Sequence, residues 1–181
     1  MAGRTLSEDP ELAYQHALAA RARAARVAVV REACGETAYA AGHFAEALTE
    51  LRAARRMSGS PAHLPMMADS ERALGRPTRA LALAREAAVG QLDRAGQVEM
   101  VIVAAGARRD MGQVEAALQL LESEDLRSRS HADWVPRLRY AYADTLLEAG
   151  RRDDAVEWFH RTAAVDADRF TDAEERLAEL E

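Results

Sequence analysis

The stretch AYAAGHFAEAL, residues 38–48, places Gly42 between two alanine-rich runs, with Ala47 five residues after the glycine. Glycine is a poor helix former, while alanine is the best. A glycine here therefore marks a junction between two helices. The same arrangement recurs. AAGHFAEALTEL, ALGRPTRALALA, DMGQVEAALQLL and EAGRRDDAVEWF all carry glycine third and alanine eighth. The glycines are Gly42, Gly75, Gly112 and Gly150, and the alanines are Ala47, Ala80, Ala117 and Ala155. Successive glycines are 33, 37 and 38 residues apart (75−42, 112−75, 150−112).

The physical reading is a helix, a tight turn and an antiparallel helix. Glycine ends the first helix in the left-handed conformation without steric cost. The alanine five later lies about one turn into the second helix and lets the two helices approach closely. Ala54 and Ala87 follow seven residues after their key alanines, on the same expected face. Leu51, Leu121 and Phe159 lie four after theirs and fill the gap between helices.

Composition agrees with an all-α fold. The 181 residues are 49% hydrophobic and 30% charged, which suits one soluble domain. Alanine, leucine, glutamate and arginine dominate, and β-branched and aromatic residues are sparse. All 24 basic residues are arginine, and the net charge is −6. That balance gives no global pull towards nucleic acid or anionic membranes. The lone Cys34 makes no internal disulfide and anchors no multi-cysteine zinc site. No run of about 18 apolar residues is present. The N-terminus lacks the layout of a signal peptide, and the expected location is the bacterial cytoplasm.

The pattern resembles the tetratricopeptide repeat, whose unit is about 34 residues with small and aromatic residues at fixed offsets around a glycine. The resemblance covers residues 28–166. The small residue before the turn is kept as Gly35, Ala68, Ala105 and Ala143. The usual tryptophan and tyrosine and the closing proline are not. The implied architecture is a single α-solenoid domain of helical hairpins: a half repeat at 9–26, repeats at about 28–60, 61–94, 97–125 and 134–166, and a capping helix at 171–180. Asp9-Pro10 supplies a cap and a first-turn proline, and Thr171 to Glu174 reads as a capping box. The connectors are 57–61, 89–96 and 124–133, the last being the expected most mobile loop. Ala13, Ala17 and Ala20 fall at the offsets of Ala47, Leu51 and Ala54. Residues 1–4 read as the tail of a first helix. The expectation is a piece of a longer protein, in which an upstream helix covers that face.

The resemblance implies a concave surface made by the first helices, one that receives a partner peptide or helix. The implied inward positions are Glu32, Glu36, Tyr39, Asp69, Arg72, Ile102, Gly106, Arg109, Tyr140, Asp144 and Leu147. They lack the lysine and asparagine set with which some members clamp a terminal carboxylate. No catalytic motif, metal-ligand spacing or phosphate-cradling loop is read, and no cofactor is expected. Cys34 falls on a core position, so an inert thiol is preferred over a nucleophile. Arg21, Arg23, Arg26 and Arg31, and Arg52, Arg55 and Arg56, are interleaved with acids. A solvated face is preferred over RNA binding there. The expected function is a non-catalytic protein-interaction scaffold. The alternatives are a regulatory module of a larger protein, a self-associating subunit, or an RNA-binding repeat. Trp158 is expected to pack under the terminal helix, with a dimer seam as the second reading.

Overall fold

A computed structural model of the chain describes residues 9–180. Residues 1–4, read above as a helix tail, lie outside them. The described residues form ten α-helices and no strand. They gather into two compact units, divided between Gln91 and Leu92, where the sequence reading drew one domain.

The first unit holds α1 (Pro10–Ala24), α2 (Ala28–Ala40), α3 (Phe44–Ser58), α4 (Leu64–Ala73) and α5 (Pro77–Ala84), then a 3₁₀ turn at Ala87–Gln91. The second holds α6 (Arg94–Arg109), α7 (Val114–Glu122), α8 (Trp134–Glu148), α9 (Arg152–Ala163) and α10 (Ala173–Leu180). The helix pairs α2/α3, α4/α5, α6/α7 and α8/α9 pack as hairpins, and α1 and α10 pack against α2 and α9.

Each hairpin turns on the expected glycine. Gly42, Gly75, Gly112 and Gly150 have φ of 79°, 71°, 70° and 77°. The hydrogen bonds repeat as well. Each glycine N–H donates three residues back, to Tyr39, Arg72, Arg109 and Leu147. Each following N–H donates five back, to Ala38, Glu71, Arg108 and Leu146. This is the Schellman pattern, which satisfies carbonyls that a helix end leaves unpaired. Ala47, Ala80, Ala117 and Ala155 are all fully buried. Three of the four hairpins also bury a hydroxyl five residues before the glycine. Thr37, Ser70 and Thr145 donate to carbonyls four back, at 2.7, 2.8 and 2.6 Å, so their burial leaves no donor unmet.

Leu51, Leu121 and Phe159 fill the hairpin interiors at 1% exposure or less. Asp9 caps α1 through a 2.9 Å bond from the Leu12 N–H, with Pro10 in the first turn.

Other expectations are corrected. Ala87 is exposed and lies beyond α5, because the chain tightens to i→i−3 bonds at Arg85 and Glu86. Ala20 is exposed although its counterpart Ala54 is buried. The connector read at 89–96 ends earlier, because Asp93 caps α6 by accepting from the Gly96 N–H at 2.8 Å. The Thr171 capping box does not form. Thr171 turns to the buried Asp166, donating its hydroxyl at 2.6 Å and its N–H at 2.8 Å. Asp166 also takes the Phe170 N–H, and α10 starts at Ala173. Trp158 stands edge-on to Tyr142 with Arg161 over its ring. Phe159 is the aromatic beneath Arg176 of α10.

Gly35 of α2 packs directly against Leu51 of α3. A Cβ there falls 2.4 Å from Leu51 Cδ2 and 3.3 Å from the Leu51 backbone nitrogen. Gly35→Ala gains about 1 kcal/mol of helix propensity. Overpacking costs about 1–3 kcal/mol, and buried Leu51 has little room to move. Thermal unfolding is expected to show a net loss, and a raised Tm would mean that Leu51 yields freely.

Candidate functional site

The eleven positions implied for the partner face are all half-buried. In the first unit, Glu32, Glu36 and Tyr39 lie on α2, and Asp69 and Arg72 on α4. The Tyr39 hydroxyl donates to Asp69 Oδ2 at 2.5 Å, and Arg72 Nε donates to Asp69 Oδ1 at 3.0 Å. Glu36 pairs with His63 Nε2 at 2.8 Å, just before α4. That hydrogen bond raises the His63 pKa, against the opposing effect of burial. The Glu32 charge acts in the same direction. α2 and α4 thus carry two bonded groups, Tyr39–Asp69–Arg72 and Glu36–His63, with the Glu32 charge acting on His63.

The second unit repeats the arrangement with different residues. Arg109 of α6 reaches Asp144 of α8 at 2.8 Å and Glu148 at 2.5 Å. Burial disfavours its charge, but these two carboxylates more than offset that and raise its pKa. Arg176 of α10 approaches Asp144 at 3.4 Å. Burial, then a hydrogen bond with Asp172, raises the Tyr140 pKa. Ile102 lies against the apolar core of this unit. In each unit, then, the candidate residues cross-link alternate helices. Their polar atoms are held before any partner arrives, which removes part of the ordering cost of recognition.

Two buried acids were not anticipated. Glu50 is 3% exposed and takes guanidinium groups from Arg21 of α1 and Arg31 of α2, the latter at 2.7 Å. Glu71 is 1% exposed and pairs with Arg52 and, at 3.5 Å, Arg76. Their register carried the signal. Glu50 and Glu71 lie three residues after the core positions Ala47 and Ala68, on the inward face of a helix. Buried carboxylates need paired cations, and the arginine clusters supply them.

Arg31 and Arg139 hold equivalent first-helix positions and do similar work. Arg31 Nε donates to the Ala25 carbonyl at 2.9 Å. Arg139 donates to the carbonyls of Leu126, Ser128 and Arg161 at 3.0, 2.8 and 3.2 Å. Arg31 satisfies one carbonyl of the connector before α2, and Arg139 two of the connector before α8 and one within α9. For Arg139 the result is a tie across the long loop at 124–133.

Cys34 is fully buried, its thiol donating to the Ala17 carbonyl at 3.1 Å. Burial raises its pKa, which keeps it in the unreactive thiol form. Tyr142 donates to Glu122 at 2.8 Å, and burial with this bond pushes its pKa up to about 12. Among the described residues, no group of three or more His, Cys, Asp or Glu is placed to hold a metal ion. Among the same residues, no helix is long and apolar enough to cross a membrane.

Arg31→Met leaves Glu50 with one cation and the Ala25 carbonyl without its donor. The expected loss is about 2–3 kcal/mol by denaturant unfolding, against about 0.5 kcal/mol or less for exposed Arg85→Met. Equal losses would remove the buried carboxylate from the account. The Glu36–His63 pair gives a pH signature. A raised folded-state histidine pKa stabilises fully below the unfolded value, and the gain is lost as pH climbs through the raised value. The Tm gap between the parent and Glu36→Gln should be widest near about pH 6 and shrink towards about pH 9. A gap constant over that range excludes a charged His63.

A scan against protein-family models found no match for this chain, and a search of the curated proteins found none.

Proposed function

We propose that this chain is a tetratricopeptide-like α-solenoid acting as a non-catalytic protein-interaction scaffold in the cytoplasm. The observation that carries this reading is the face built by alternate helices. In each unit, residues at the positions implied by the resemblance come together and bond to one another: Tyr39, Asp69 and Arg72 in the first, and Arg109 and Asp144 in the second. Four hairpins with one turn geometry supply a rigid base for such faces.

Recognition on this reading is preorganised. A partner segment exchanges its own polar groups for the existing pairs, and the helices stay in place. The first unit's face gathers Glu32, Glu36 and Asp69 against Arg72, which favours a segment carrying basic residues. RNA is disfavoured by the same acids and by the net charge of −6.

Pull-down from the native lysate tests this reading, with Tyr39→Ala/Arg109→Ala as the paired bait. A protein retained by the parent and lost by a double variant that still melts cooperatively supports the scaffold. A captured species that nuclease removes, and that salt releases steeply, replaces it with nucleic-acid binding.

A further inference from the structure

The two ends of the described chain carry open faces of opposite character. Seven large apolar residues are exposed among the described residues, and five of them lie at the ends. Leu12, Val27 and Val29 belong to the first helix pair, with Val29 at 62%. Val165 and Phe170 adjoin α10, with Phe170 at 48%. Between α1 and α2 runs a groove lined by His16, Ala20 and Arg23 on one side and Val29, Val30 and Ala33 on the other. Ala20 holds the register of Ala54, which is buried within the fold. In α1 that position stands open. Arg23, in the groove lining, forms no ion pair among the described residues, so it gives that wall an uncompensated positive charge.

At the other end, α10 turns Ala173 and Leu177 inward and leaves Glu174, Glu175, Ala178 and Glu179 exposed. Glu175 has no ion pair among the described residues. Glu174 and Glu179 make only long ones, 3.5 Å to Arg169 and 3.9 Å to Arg176. The open face of α10 is thus a small residue flanked by acids. It matches a groove of small and branched apolar residues that also carries Arg23.

The geometry points to head-to-tail self-association, in which α10 of one copy docks in the α1/α2 groove of a second copy. Ala178 would enter beside Ala20, and the glutamates would meet Arg23. Two different surfaces are joined, so the contact is heterologous and propagates into a ring or an open chain of copies. The exposed valines at the groove would be covered in the same step, and the charged contacts make the association weaken with added salt.

Sedimentation velocity on the full chain, from about 1 µM to about 1 mM, should show mass rising above the 19.8 kDa monomer with concentration. Ala20→Arg blocks the groove and Ala178→Arg blocks the helix. Both sites are exposed, so melting temperatures should match the parent. If Ala20→Arg disturbs folding, Arg23→Glu replaces it. Each variant alone should stay monomeric. Mixed one to one, they should form dimers and nothing larger, because each variant retains one intact face. A parent that is monomeric throughout the range overturns the proposal. So do variants that associate alone as well as the parent, and a mixture that stays monomeric.

Discussion

The rest of the structure depends on a single backbone event, repeated: a glycine taking positive φ at a helix end. At φ of 70–79° the chain reverses within a few residues, and two backbone bonds close the turn. The reversal delivers the second helix against the first at a fixed distance. The alanine five residues after each glycine, Ala47, Ala80, Ala117 or Ala155, is fully buried in the resulting hairpin. At Gly35 even a methyl group is too large. A left-handed turn and a small-residue contact are thus two consequences of one geometry, and neither works without the other.

Close approach of helices leaves polar side chains in places where water is scarce. The chain answers with arginine. Glu50 and Glu71 are buried between guanidinium groups from neighbouring helices, and Arg31 and Arg139 fold back on connector carbonyls. Arginine suits both tasks, because its planar fork donates in several directions at once. The absence of lysine from the sequence therefore has structural use in these positions, whatever its origin in composition. The same logic extends to the candidate faces. Tyr39, Asp69 and Arg72, or Arg109 and Asp144, are already satisfied by each other. On the proposed scaffold reading, a partner at these faces gains from their fixed positions and has to match their existing hydrogen bonds.

The hairpins were legible in the sequence because glycine and alanine mark them at a constant offset of five. Local rules of this kind survive without knowledge of the tertiary structure. The buried thiol of Cys34 was legible for the same reason, from its register. The ends of helices were less so. Thr171 matches a capping box in pattern, yet its hydroxyl serves Asp166, five residues earlier in the chain. The three bonds that Asp166 accepts from Phe170 and Thr171 outweigh the single cap. Ala87 matches the helical register, yet α5 has already tightened into 3₁₀ bonds at Arg85. At Trp158 and Phe159 the register separated the two rings by about 100°. It could not tell which neighbour each would meet, because that depends on where α8 and α10 lie.

The candidate faces were legible only as positions. Their pairing was not, because it joins residues 27 to 39 apart through helices that do not follow one another in the chain. Within each unit such pairings follow from the repeat: a step of 33 residues in the first and 38 in the second brings the next first helix against the one before it. A residue on one first helix therefore meets what the next first helix of the same unit carries at a nearby offset. Tyr39 meets Asp69, and Arg109 meets Asp144, by the same arithmetic with different chemistry. The repeat fixes which positions meet, while the side chains at those positions are free to vary. That freedom lets one architecture present an acid-rich face in the first unit and an arginine-centred one in the second. On the proposed scaffold reading, selectivity for a partner is set by a few half-buried residues, and the hairpins beneath them can stay unchanged.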